Sequence, residues 1–147
     1  MNAQENKQLV QEGYRLFQRG DIASLLMRCH DDVDWISPET ELVPFSGTFH
    51  GKQGLAEFFT KLDASLQAIR FEPLEFIAED DKVVAVGQAT WLVKPTGQQF
   101  DTPWIHLCTL RDGKIARIQA LTDTAASERA FRPGQTAQAS MTQQLHH

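Results

Sequence analysis

In the first stretch of the chain, apolar residues recur at Leu9, Val10, Gly13, Tyr14 and Phe17, with Gln, Glu, Lys and Arg between them. Steps of three and four residues predict an amphipathic helix. Gly20 stands where a helix turns left-handed at its end, and Asp21 can cap a second, short helix through "DIASLLMRCH". Its expected inner face is Ile22, Leu25, Leu26 and Cys29. The period then falls to two: Val33, Trp35 and Ser37 alternate with Asp34 and Ile36, a short strand that Pro38 stops. Residues 38–54 are rich in Pro and Gly without a period and read as a loop, after which Leu55, Phe58, Phe59, Leu62 and Leu66 restore helical spacing.

From Ile69 to Thr122 the texture is β-branched and aromatic, broken by the turn signals "EDDK", "KPTGQQ" and "RDGK". Four strands in local hairpins pair antiparallel, because parallel neighbours need long crossovers that this half lacks. "TAASERAF" returns to helical spacing behind Asp123. Helices segregated against such a sheet give an α+β class. One domain over residues 1–131 follows, with a polar tail over 132–147 that receives no function.

Composition narrows the functions. A chain of 147 residues can bury a core without staples. The two cysteines, Cys29 and Cys108, lack C-x-x-C spacing and are expected to be reduced core residues, which points to a cytoplasmic setting. A net charge of −5 argues against nucleic acid as a partner. The N-terminus lacks the pattern of a secretory signal, no apolar run is long enough to span a membrane, and no histidine pair has metal spacing such as H-E-x-x-H. No metal, cofactor or membrane is expected.

The order of elements, with "GD" between the first helices, "VDWISP", "FSGTFHGKQGLAEFF" and "TLRDGKIARIQAL", resembles the SnoaL-like polyketide cyclase and ketosteroid isomerase branch of the nuclear transport factor 2 superfamily. The likeness covers residues 5–131. It implies a cone: a bent antiparallel sheet wrapped around three N-terminal helices, with an internal apolar pocket open at one end. It also implies homodimers that pair through the outer face of the sheet, where Arg117 and Gln119 would lie. Because this scaffold serves isomerases, cyclases, hydrolases and carriers, function has to be argued from the pocket.

The family register combined with strand alternation turns four sets inward: Val33, Trp35 and Ser37; Ala89, Trp91 and Val93; Trp104, His106, Cys108 and Leu110; Ala116, Ile118, Ala120 and Thr122. Isomerases of this kind place a general base Asp just before the proline of the short strand. That position is Ser37. The cyclases' acid–base Asp on the last strand falls at Ala120, and the Asp-Arg-Asp relay of the epoxide hydrolases has no counterpart. His106 takes the slot of the isomerases' oxyanion donor and of the cyclases' pocket histidine. It either faces a ligand or is a core histidine satisfied by a backbone carbonyl or by Tyr14. Tyr14 is the candidate oxyanion donor of the first helix, one residue out of register, and otherwise packs in the core. Asp123 is either the cap of the following helix or a carboxylate at the pocket mouth.

The candidate catalytic residues are therefore His106, Tyr14 and Asp123. Candidate ligand contacts are Trp35, Ser37, Phe59, Trp91, Trp104, Cys108, Ile118 and Ala120. Three tryptophans around a histidine, with few charges, suit a small hydrophobic molecule bearing an oxygen or two. Two functions fit: a cofactor-free isomerase or cyclase using His106, or a module that binds a hydrophobic ligand without chemistry. A dimeric interaction domain is a third.

Overall fold

A computed structural model describes residues 2–133. Helix α1 (Ala3–Gln18) starts in a reciprocal capping box between Asn2 and Glu5. It ends at Gly20, whose φ of 75° lets the chain turn into α2 (Ile22–Met27), and Asp21 caps α2 by accepting from the Ser24 N–H. The strands and helices that follow are β1 (Cys29–Ile36), β2 (Thr48–His50), α3 (Gly51–Ser65), β3 (Leu66–Glu79), β4 (Lys82–Val93), β5 (Gln99–Arg111), β6 (Lys114–Thr122) and α4 (Thr124–Phe131). The expected tail lies outside the described residues except for Arg132 and Pro133.

All six strands form one bent sheet in the order β2-β1-β6-β5-β4-β3, with the helices gathered in its concave side. The four C-terminal strands are antiparallel neighbours, as hairpin connections require. β1 departs from the antiparallel expectation. It runs parallel to β6, because the whole of β2 to β5 lies between them and supplies the crossover that adjacent strands lack.

Three local expectations are corrected. Cys29 is the first residue of β1, not the last of a helix: α2 stops at Met27, and Cys29 is fully buried in register with Ile115. The stretch 38–54 contains β2, and α3 begins at Gly51, whose φ of 76° makes the sharp entry. On β6 the buried side chain near the turn is Ile115 rather than Ala116, because the ladder slips between Thr109 and Leu110, so that Leu110 faces Ile115. Such a bulge puts two residues opposite one and bends the strand.

Bending brings β3 and β5 close across β4. Gly87 sits at that crossing: a Cβ there would lie 2.2 Å from the Trp104 ring and 2.4 Å from the Glu72 carbonyl oxygen. The missing side chain is what lets the indole of Trp104 lie on the sheet. Inside, Val10, Val33, Leu55, Phe58, Val83 and Ile115 form the main core. The outer face is different, with Ile77, Ile105 and Leu121 at 62%, 42% and 49% exposure.

Candidate functional site

The cone encloses a cavity of about 160 Å³. β5 supplies its back wall, since alternation turns Thr102, Trp104, His106 and Cys108 to the concave side. α1 crosses in front of that wall and presents Tyr14. The Tyr14 hydroxyl lies 2.6 Å from His106 Nδ1, and the two rings are stacked at 12° with centroids 5.8 Å apart. Trp104 and Trp35 flank the imidazole at 4.7 Å and 5.3 Å, the latter edge-on.

Of the residues expected to touch a ligand, Trp35, Ser37, Phe59 and Trp91 line the cavity from β1, the segment after it, α3 and β4. Trp104, Cys108, Ile118 and Ala120 line it from β5 and β6. Ala120 is the register partner of His106, so its small methyl leaves room beside the imidazole. Ser37 donates its hydroxyl proton to the Gly47 carbonyl 3.1 Å away. Asp123 accepts the Ala126 N–H as the cap of α4 and is not part of the cavity wall.

Burial sets the protonation states. It holds the His106 imidazole down at about 4 and raises the Tyr14 phenol well above its ordinary value, so both are neutral at pH 7. The Cys108 thiol is pushed up to about 12 and stays protonated. No Asp, Glu, Lys or Arg lines the cavity among the described residues. The same residues contain no cluster of three His, Cys, Asp or Glu that could hold a metal, and no helix long and apolar enough to cross a membrane.

With Tyr14 donating to Nδ1, the neutral imidazole carries its proton on Nε2. The reverse arrangement leaves both the phenol proton and the Nε2 lone pair without a partner, two unmet groups instead of one. Among the described residues the imidazole makes its hydrogen bond through Nδ1, and none is found at Nε2. The pair is therefore a fixed Nε2–H donor on an aromatic wall.

Residues 10–118 match the family model for a SnoaL-like domain. The chain belongs to the SnoaL-like family. No curated protein matches it. Among solved structures, the chain is similar to an NTF2-like protein from Burkholderia xenovorans LB400, with 35% identity, a TM-score of 0.82, and coverage of 90% of this chain and 99% of that one. TerC, co-crystallized with polyporic acid, is similar at 30% identity and a TM-score of 0.76 over 86% of this chain and 98% of that one. A candidate polyketide cyclase from Xanthomonas campestris pv. campestris, at 20% identity and a TM-score of 0.76 over 90% and 100% of the two chains, shares the fold.

Sequence reasoning misses Phe71 and Thr102 in this SnoaL-like cavity. Phe71 stacks on Trp104 at 6° with 5.0 Å between centroids, but β3 slips register twice, which breaks the alternation that would have marked it. Thr102 is 1% exposed. It donates to the Pro103 carbonyl and accepts the Asp123 N–H at 2.8 Å, tying β5 to the start of α4. Counting two residues back from Trp104 points to it.

Proposed function

We propose that this SnoaL-like protein binds a small, mostly apolar, carbonyl-bearing molecule and acts on it as a cofactor-free isomerase or cyclase through His106. The observation that carries this reading is the Tyr14–His106 hydrogen bond at the polar point of an aromatic cavity. A neutral imidazole that donates Nε2–H to a carbonyl oxygen stabilises the enolate formed when a solvent water takes the α-proton as hydronium, and reprotonation of the enolate from solvent at carbon completes the exchange. Tyr14 holds the tautomer and the ring plane. The similarity to a protein co-crystallized with polyporic acid supports a small organic ligand.

Acetophenone is a suitable probe, being one ring with a carbonyl and exchangeable α-protons. Incubated in D2O, it should gain deuterium in its methyl group faster with the wild-type protein than with His106→Gln, by about 10²-fold at the scale of acid–base catalysis. Equal rates would remove His106 from the chemistry.

A second reading, ligand binding without conversion, is favoured by one observation: among the described residues no carboxylate stands in the cavity wall to take the α-proton. Acetophenone that binds and stays unlabelled supports it. We also propose a homodimer built on the outer face, where Ile105 and Leu121 are register partners across β5 and β6 and both are exposed.

A further inference from the structure

We propose that the groove between the end of α1, α3 and the start of β3 is the outer compartment of the ligand site, taking an uncharged, apolar extension of a molecule whose carbonyl end lies at His106. This rests on the reading of the cavity as a site for a carbonyl compound. It goes further in giving that compound a length and a direction.

The inner cavity is small. Its volume of about 160 Å³ matches the ~150 Å³ known to hold one benzene ring. Beside it lies a groove of about 740 Å³, with the exposed residues Gly20, Thr60, Ala68 and Ile69 in its lining. Ile69 is 51% exposed and is the extra residue at the first register slip of β3, between Ala68 and Arg70. An apolar side chain half in water gains from being covered by an apolar ligand.

One layer of side chains separates the two spaces, since Phe17, Phe59, Leu62, Leu66, Phe71 and Trp91 line both. All but Leu66 are half-buried. Phe17 lies 5.1 Å from Phe71 and 6.0 Å from Phe59 between ring centroids, and Phe71 lies 5.9 Å from Trp91. Beside these rings Gln18 Nε2 donates to the Phe71 carbonyl at 3.0 Å, an exposed bond between α1 and β3. Rotating partly exposed side chains joins the two spaces without a change in the backbone.

The cavity wall toward α4 is built differently. Val43, Val93, Ala130 and Phe131 pack there as a buried cluster. Thr96 and Gln98 both donate to the Ala130 carbonyl, at 2.6 and 3.0 Å, and the Asp123 N–H donates to Thr102. A ligand that outgrows the inner cavity therefore meets less resistance at the aromatic layer. Among the groove's lining residues only Asp63 and Arg70 carry charge, and Arg70 is paired with Glu72 at 3.1 Å. A charged extension would lose hydration there for little return.

The test compares acetophenone with 4′-butylacetophenone by calorimetry. Full burial of a CH2 is worth about fourfold in affinity, so the butyl compound should bind the wild-type protein about tenfold or more tightly. Ala68→Trp, which fills the groove from β3, should remove that gain and leave acetophenone binding within about twofold; Thr60→Trp, from an exposed site on α3, should do the same if the first variant fails to fold. The wild-type Ile69 methyl resonances give a further readout, because Ile69 lines the groove and not the cavity. They should move with the butyl compound and not with acetophenone. Equal affinities, or a gain that survives both tryptophans, would overturn the inference while leaving the cavity a ligand site. Ile69 methyls that move with protein concentration and not with the butyl compound would assign the groove to a second copy of the chain and also overturn it. If neither ketone binds, the underlying reading falls, and the inference with it.

Discussion

His106 is a polar, half-buried position set among aromatic rings. Its imidazole sits among Tyr14, Trp35 and Trp104, and its ordinary value near 6.5 falls to about 4 because burial penalises the cation. The unfolded chain therefore takes up a proton near pH 6.5 that the native protein refuses until about pH 4. Above pH 6.5 the residue has no effect on stability. As the pH falls from 6.5 toward 4 it costs about 1.4 kcal/mol per unit, up to ~3 kcal/mol in all. Thermal melts of the wild type and His106→Gln across this range should converge toward acid, the wild type losing more; parallel profiles would show that the native imidazole titrates normally. The sequence marks this residue because strand alternation alone sets an imidazole on an apolar face. It also leaves two partners open, a backbone carbonyl or Tyr14, since whether Tyr14 reaches the imidazole depends on how α1 crosses the sheet, which helical spacing leaves undetermined.

Elements carry the site through their regularity and are hard to read where that regularity fails. β5 alternates cleanly from Thr102 to Cys108, so its inward set is legible from spacing. β3 and the β5–β6 ladder contain register slips, and there Phe71 and Ile115 take positions that counting by twos does not find. β2 has three residues between Pro- and Gly-rich neighbours, too few to show a period. Gly87 is the clearest element-scale dependence, because the bend of β4 closes Trp104 and the Glu72 carbonyl onto it. Gly87→Ala must push that ring or the β3 backbone aside and should lose about 1–3 kcal/mol in urea unfolding, the range for overpacking. An alanine variant with wild-type stability would mean that Trp104 is not wedged as described.

At the scale of the whole molecule, the α+β class follows from a helical half joined to a hairpin-rich half, which local pattern records well. The cone and the SnoaL-like family are instead implied by the resemblance that the motifs carry, and the family is shown by the match over residues 10–118. Parallel pairing of β1 with β6 depends on how the chain closes on itself, and no local stretch contains that information. The two faces of the sheet divide the work: the concave side encloses neutral donors, and the convex side exposes Ile77, Ile105 and Leu121. Sedimentation should find a dimer that Ile105→Lys converts to monomer, and a wild-type monomer at high concentration would refute pairing through that face. The central claim is that His106, held by Tyr14, donates to the oxygen of a small carbonyl compound inside the cone. It is tested most directly by a crystal structure grown with acetophenone. The carbonyl oxygen should lie within hydrogen-bond reach of His106 Nε2, with the ring between Trp35 and Trp104; an occupied ligand whose oxygen points away from His106, or a cavity left empty at saturation, would contradict it.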